Sequence, residues 1–165
     1  MLNDAAVDLA FFGSTVSVQT HDHSVAAAVC RLWAPFLAGP TATSIQVEAP
    51  RMTDKAAQLD WIHAKLNSTA MEVTPHLAFH AGAVAVGSSV VAFPANSGGG
   101  KSTLTAACLQ RGFDYVTDEG MCLDYVDGAV RPYPRPIGLS AWSAELLGIS
   151  ATSDHETFVT AGELG

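Results

Sequence analysis

The sequence predicts an α/β core with a mixed, largely apolar sheet, led in by a smaller α+β region. Three observations carry that expectation. Residues 77–93 hold two apolar runs, LAFHAGAVAV and SVVAF; the glycine-rich stretch PANSGGGKS follows them; and the helix-like TLTAACLQRG comes next. Strand, tight loop and helix in that order form the basic unit of α/β architecture.

The first third reads as a lead-in region, residues 1–75. VDLAFFGSTVSVQ, rich in β-branched and aromatic residues and broken by Gly13, suggests a strand or hairpin. HDHSVAAAVCRLWAPFLAG reads as a helix, because Val25, Ala28, Val29, Leu32, Trp33 and Phe36 recur at steps of three and four, and Gly39-Pro40 ends it. SIQVEA is a short alternating strand. Thr53 to Asn67 is a second amphipathic helix with Leu59, Ile62 and Leu66 on one face.

The core region, residues 76–165, opens with the two apolar runs, which read as buried strands joined by a tight turn at Gly87-Ser88. A helix from Thr103 to Arg111 follows the loop and closes at Gly112. FDYVTDE and MCLDYV read as strands, with a turn in VDGAV. RPYPRPIGLS, with three prolines in six residues, is an extended crossing and not a strand centre. SAWSAELLGI begins a helix capped by Ser140. SATSDHETFVTAGELG shows no clear terminating element, so the chain reads as a shortened form of a longer domain.

Composition narrows the classes. At 165 residues, 48% hydrophobic and 15% charged, the chain has the size of one folded domain and is a little short for two. A net charge of −8 and a pI near 5.0 argue against nucleic acid as the main partner, since no basic field attracts phosphodiesters. Cys30, Cys108 and Cys122 show no zinc spacing and read as buried small hydrophobes in a reducing compartment. MLNDAAVDLAFFG lacks the basic n-region of a secretory signal, and no apolar run approaches the roughly eighteen residues of a membrane span. A cytoplasmic protein without a membrane partner is the expectation.

The loop itself has the spacing of a phosphate-binding P-loop: Ala95, four residues, Gly100, Lys101, Ser102. Such a loop curls so that backbone N–H groups and the helix N-terminus face an anion. The lysine reaches the terminal phosphates, and the following hydroxyl serves Mg²⁺. The other reading is a glycine-rich turn with a solvated lysine; the apolar strand before and the helix after favour the phosphate reading. Ala95 stands where such loops usually open with glycine, which costs little if that position keeps ordinary strand-end angles. On this reading Ala95, Asn96, Ser97, Gly98, Gly99, Gly100, Lys101, Ser102 and Thr103 form the nucleotide-binding set.

Asp118 and Glu119 end a short apolar strand 17 residues after Lys101. A carboxylate there can hold Mg²⁺ or take a proton from an attacking hydroxyl, or simply shape the turn before Gly120. His80, inside an apolar strand, reads on its own as a core histidine. Arg131 and Arg135 in the proline-rich crossing serve either to neutralise phosphate or as exposed solubilising charges.

Taken together, HAGAVAVGSSVVAFPANSGGGKSTLTAACLQRGFDYVTDEGMCLDY resembles the catalytic core of the HPr kinase/phosphorylase superfamily, and more closely its HPr-kinase-related branch. That branch carries a histidine in a strand, a P-loop, a helix ending in Arg-Gly and an acidic pair at the end of the next strand. VRPYPRPIGLS is similar to the segment that follows in those kinases, so the resemblance covers residues 77–139. It implies a P-loop kinase core of HPr-kinase/PEP-carboxykinase-like type that uses ATP and Mg²⁺. The implied reaction is phosphoryl transfer to a hydroxyl, serine foremost, of a protein or peptide acceptor, with a homo-oligomer among the implied partners. The resemblance gives His80, Asp118 and Lys101 catalytic roles, and Ser102, Asp118 and Glu119 the metal. Three departures stand out: Ala95 for glycine, Glu119 for a second aspartate, and no counterpart of the family's later substrate-binding segments. A nucleotide-binding module without turnover is the first rival, and a small-molecule P-loop kinase or NTPase the second.

Overall fold

The computed structural model describes residues 5–151 and 155–165. Length alone suggests one domain, but the chain divides into two compact units, Met1–Thr74 and Pro75–Gly165, each with its own sheet.

In the first unit, β1 (Ala5–Phe11) and β2 (Ser14–Thr20) form an antiparallel hairpin. Its two-residue turn places Phe12 at φ 49° and Gly13 at φ 89°, the positive pair that matches the twist of a tight hairpin. β3 (Ile45–Glu48) lies parallel to β2. Leu9, Val16 and Val18 are fully buried, as are Ile62 and Leu66 of the long helix.

Both helices of this unit start on an aspartate cap. Asp22 accepts from the Ser24 amide at the head of α1 (His23–Leu32), and Asp54 from the Ala56 and Ala57 amides at the head of α2 (Lys55–Val73). The observed helix ends differ from the expected ones. α1 stops at Leu32 and not near Gly39, because Pro35 cannot donate within a helix and sits instead in the 3-10 turn Ala34–Phe36. α2 runs past Asn67 to Val73, since the first breaker in its path is Pro75, which disfavours helical angles at Thr74.

The second unit is built on β4 (Leu77–Val86), which pairs antiparallel with β5 (Ser89–Pro94) on one side. Gly87, at φ 58°, makes the turn between them. On its other side β4 pairs with two short strands in succession: β7 (Gly120–Leu123) along Leu77–His80, and β6 (Asp114–Thr117) along Ala83–Ala85. β8 (Val130–Arg131) follows β7. Every pairing described in this unit is antiparallel, so the expected mixed sheet is not found here, and the chain as a whole is α+β. The α/β feature of this unit is the crossover. β5 and β6 are both antiparallel to β4, hence parallel to each other, and α3 (Lys101–Leu109) connects them.

α3 starts two residues before the expected Thr103, and the chain leaves it at Gln110, with Gly112 left-handed and donating to Leu109 O at 2.9 Å. The apolar runs are less buried than expected. Only Ala81–Val84 of β4 are buried, while Val90 and Val91 of the edge strand β5 are exposed, as is Phe79. The cysteines also differ: Cys122 is buried, but Cys30 and Cys108 are half-buried.

The proline-rich crossing and the last residues hold two further surprises. Ile137–Leu139 (β9) is a strand after all, and it pairs antiparallel with β10 (Thr157–Val159). Residues 152–154 lie outside the described residues. Ser140 accepts from the Ser143 amide and caps α4 (Ala141–Leu146) as expected. Val84, Ala106, Leu109, Ile137, Leu139, Ala144 and Val159 form one core, so residues on both sides of α4 in the chain pack together. Leu139→Ala, at a site with no exposure, is expected to lower the stability of this unit by about 2–5 kcal/mol, read by urea unfolding.

Candidate active site

The glycine loop leaves β5 at Pro94 and enters α3 at Lys101. Gly98 and Gly100 have φ of 78° and 83°, in the left-handed region that residues with a Cβ rarely adopt. Gly99 is required for a different reason: a Cβ there would lie 2.8 Å from the Ala95 methyl and 2.9 Å from Asn96 O. Phe12 is the only non-glycine with positive φ among the described residues. Ala95 therefore keeps ordinary backbone angles, and the missing first glycine costs no strain. Gly100 caps α3 without a side-chain acceptor, which leaves the helix's first amides to the cleft.

Lys101 is 8% exposed and folds back over the loop. Its ammonium donates to Ala95 O at 3.0 Å and Asn96 O at 3.2 Å, and its third contact is His80 Nε2 at 2.8 Å. An ammonium has three donors and no acceptor, so His80 Nε2 accepts and the ring proton sits on Nδ1. Nδ1 faces Glu119 Oε1 at 3.9 Å. Strand register explains the neighbourhood: His80 pairs with Gly120 across β4 and β7, and the Ala81 amide donates to Glu119 O at 3.0 Å.

Asp118 is 1% exposed and has a partner on each oxygen. Oδ2 accepts from Ser102 Oγ at 2.8 Å; Oδ1 lies 3.1 Å from Tyr115 OH and 3.4 Å from Arg135 Nε. Arg135, 3% exposed, also pairs through Nη1 with Glu119 Oε2. Burial works against the charge of Arg135, but the Asp118 and Glu119 carboxylates outweigh it and raise its pKa. Tyr115 is pushed well above the usual phenol range, first by burial and then by the Asp118 charge. It stays protonated and donates.

The structure thus brings His80, Lys101, Ser102, Asp118 and Glu119 to one place. Of these, Lys101, Ser102 and Glu119 line a polar cleft of about 320 Å³ together with Ser97, Gly98, Gly100 and Thr103. The far wall comes from Ser140, Trp142, Ser143 and Glu156, where Thr103 Oγ1 lies 2.8 Å from Ser143 Oγ. Sequence reasoning missed this wall, and nothing in the residue pattern marks it. Tyr115 was also missed, although its place three residues before Asp118 in a strand-to-turn segment was a signal.

The two arginines part company. Arg135 belongs to the site, while Arg131 pairs with Asp124 Oδ2 at 2.8 Å and Asp127 Oδ2 at 2.6 Å around the β7–β8 turn. Its hydrogen bond is the main cause that holds the Asp124 carboxyl below the usual carboxylate range. A depressed folded pKa stabilises above the ordinary value of about 3.9, and that stabilisation is lost as pH falls through the folded value. Arg131→Ala is expected to move the Asp124 titration, followed by carboxyl-carbon NMR, back up toward 3.9.

For Mg²⁺, the fit is partial. No group of three or more His, Cys, Asp or Glu able to hold a metal occurs among the described residues, but Mg²⁺ on a nucleotide needs only one or two protein oxygens besides phosphates and water. Ser102 Oγ and Asp118 Oδ2 are the oxygens that would meet that need; Arg135 engages the other oxygen of Asp118 and Oε2 of Glu119. No helix among the described residues is long and apolar enough to cross a membrane. No family model, curated protein or solved structure matches the chain, so the likeness to HPr kinases rests on the residues quoted above.

Proposed function

We propose that the chain binds Mg·ATP on loop 95–103 and transfers the γ-phosphoryl group to a hydroxyl, serine foremost, of a protein or peptide. The observation that carries this reading is the 2.8 Å hydrogen bond from Ser102 Oγ to Asp118 Oδ2 beside a lysine-bearing glycine loop. It couples the loop's hydroxyl to a buried carboxylate, the pair that a phosphate loop and its metal require.

Loop amides would hold the phosphates, and Lys101 would exchange Ala95 O, Asn96 O and His80 for the β and γ oxygens. Those carbonyls keep the ammonium within reach of the loop. Ser102 and Asp118 would hold Mg²⁺, which would neutralise charge at the phosphates. The acceptor oxygen forms the new P–O bond, its proton passes to Asp118, and ADP leaves with the electron pair of the broken bond. His80 Nε2, released by Lys101, is the neighbouring acceptor that orients the hydroxyl.

One observation favours the rival module without turnover: Arg135 already pairs with both carboxylates of the acidic pair. Incubation with γ-labelled ATP and candidate acceptor proteins decides between them. The kinase reading expects label on an acceptor hydroxyl with matching ADP release; tight ATP binding with no label on any acceptor supports the module.

A further inference from the structure

Loop polarity gives the cleft a direction. A P-loop lysine serves the β and γ phosphates, and the loop and helix-start amides serve the α and β phosphates. Lys101 and His80 therefore mark the γ end, and a bound nucleoside extends the other way, past Thr103. Thr103 Oγ1 is 2.8 Å from Ser143 Oγ, and the residue before Ser143 is Trp142.

Trp142 is 67% exposed, unusual for an indole beside a polar cleft. It lines both that cleft and an adjoining apolar groove of about 510 Å³, and Gly100 and Thr103 border both as well. Leu104, Ala107, Leu146 and Leu147 form the groove's walls, with Leu104 and Leu146 open to solvent. Gln110 Nε2 donates to Leu147 O at 2.9 Å and ties α3 to the end of α4 there.

Charge points the same way. The Glu156 carboxylate packs on the Cα of Gly138 in the far wall of the cleft. A carboxylate there repels phosphate and accepts hydrogen bonds from hydroxyls, so this end suits the uncharged half of a nucleotide. Polar loop, acidic wall and exposed indole thus border one cleft, and their chemistries suit phosphate, ribose and base respectively.

We infer that Trp142 is the stacking platform for the nucleobase of the nucleotide whose phosphates lie on loop 95–103. The inference rests on the phosphate reading of that loop and adds the base subsite to it. Calorimetry with Mg·ATP and with Mg·tripolyphosphate, on wild type, Trp142→Ala and Trp142→Phe, tests it. Trp142→Ala is expected to weaken ATP binding about ten- to hundredfold, the range of one base–aromatic stack. Trp142→Phe should stay within about fivefold of wild type, because it keeps a π-face. Tripolyphosphate, which has no base, should bind all three proteins alike.

Unchanged ATP affinity in Trp142→Ala overturns the inference and leaves the phosphate loop standing. Equal loss of both ligands in that variant also overturns it, since a base platform has no hold on a ligand without a base. Wild type that binds neither ligand removes the phosphate loop and the base subsite together.

Discussion

Arg135→Met is expected to destabilise the Pro75–Gly165 unit by about 3–5 kcal/mol. The guanidinium is nearly inaccessible, and it is the cation beside an equally buried Asp118. Its removal leaves a buried carboxylate without that cation, in contact with the Ser102 and Tyr115 hydroxyls. Methionine keeps much of the volume, so the loss reports charge more than packing. Asp118→Asn in the same chain should restore most of the stability, because the uncompensated charge is gone. Urea unfolding of the two single variants and the double variant gives the coupling directly. Additive losses would mean that the pair is not coupled and that Arg135 acts through its packing alone.

Asp118→Asn alone is expected to slow phosphoryl transfer by about 10²–10⁴-fold, the usual contribution of a positioned general base. The amide keeps the shape and can still meet Ser102 and Tyr115, but it takes no proton. Nucleotide affinity should change much less than the rate, since loop amides and Lys101 hold most of the phosphate contacts. Single-turnover transfer of label separates the two effects. A variant that transfers at the wild-type rate would remove Asp118 from the chemistry and leave it as an anchor for Ser102 and Arg135.

The loop was legible in sequence because everything that defines it is local. Glycines at 98 and 100 answer to backbone angles, Gly99 answers to the Ala95 methyl, and the lysine follows within one turn. Ser140 was legible for the same reason, as a cap three residues before the amide it accepts from. Element ends were misread where a proline signal was passed over: Pro35 shortens α1, and Pro75 sets the end of α2.

What could not be read depends on residues far apart in the chain. Arg135 lies 16 residues beyond Glu119, and only the folded crossing brings its guanidinium under the acidic pair. The strand pairing of 137–139 with 157–159 closes the core from opposite sides of α4, with no periodicity in either three-residue segment to announce it. The apolar run in β5 looked buried, but hydrophobicity does not say whether a strand is central or at an edge. The antiparallel pairings of β4 likewise follow from register and not from composition.

The central claim is that Ala95 to Thr103 hold the phosphates of a nucleotide through loop amides and Lys101. Calorimetric titration of Mg·ATP into wild type and Lys101→Ala tests it most directly. The account predicts saturable binding to wild type and at least tenfold weaker binding to the variant, with circular dichroism showing both folded. Equal affinity in the two proteins would contradict it.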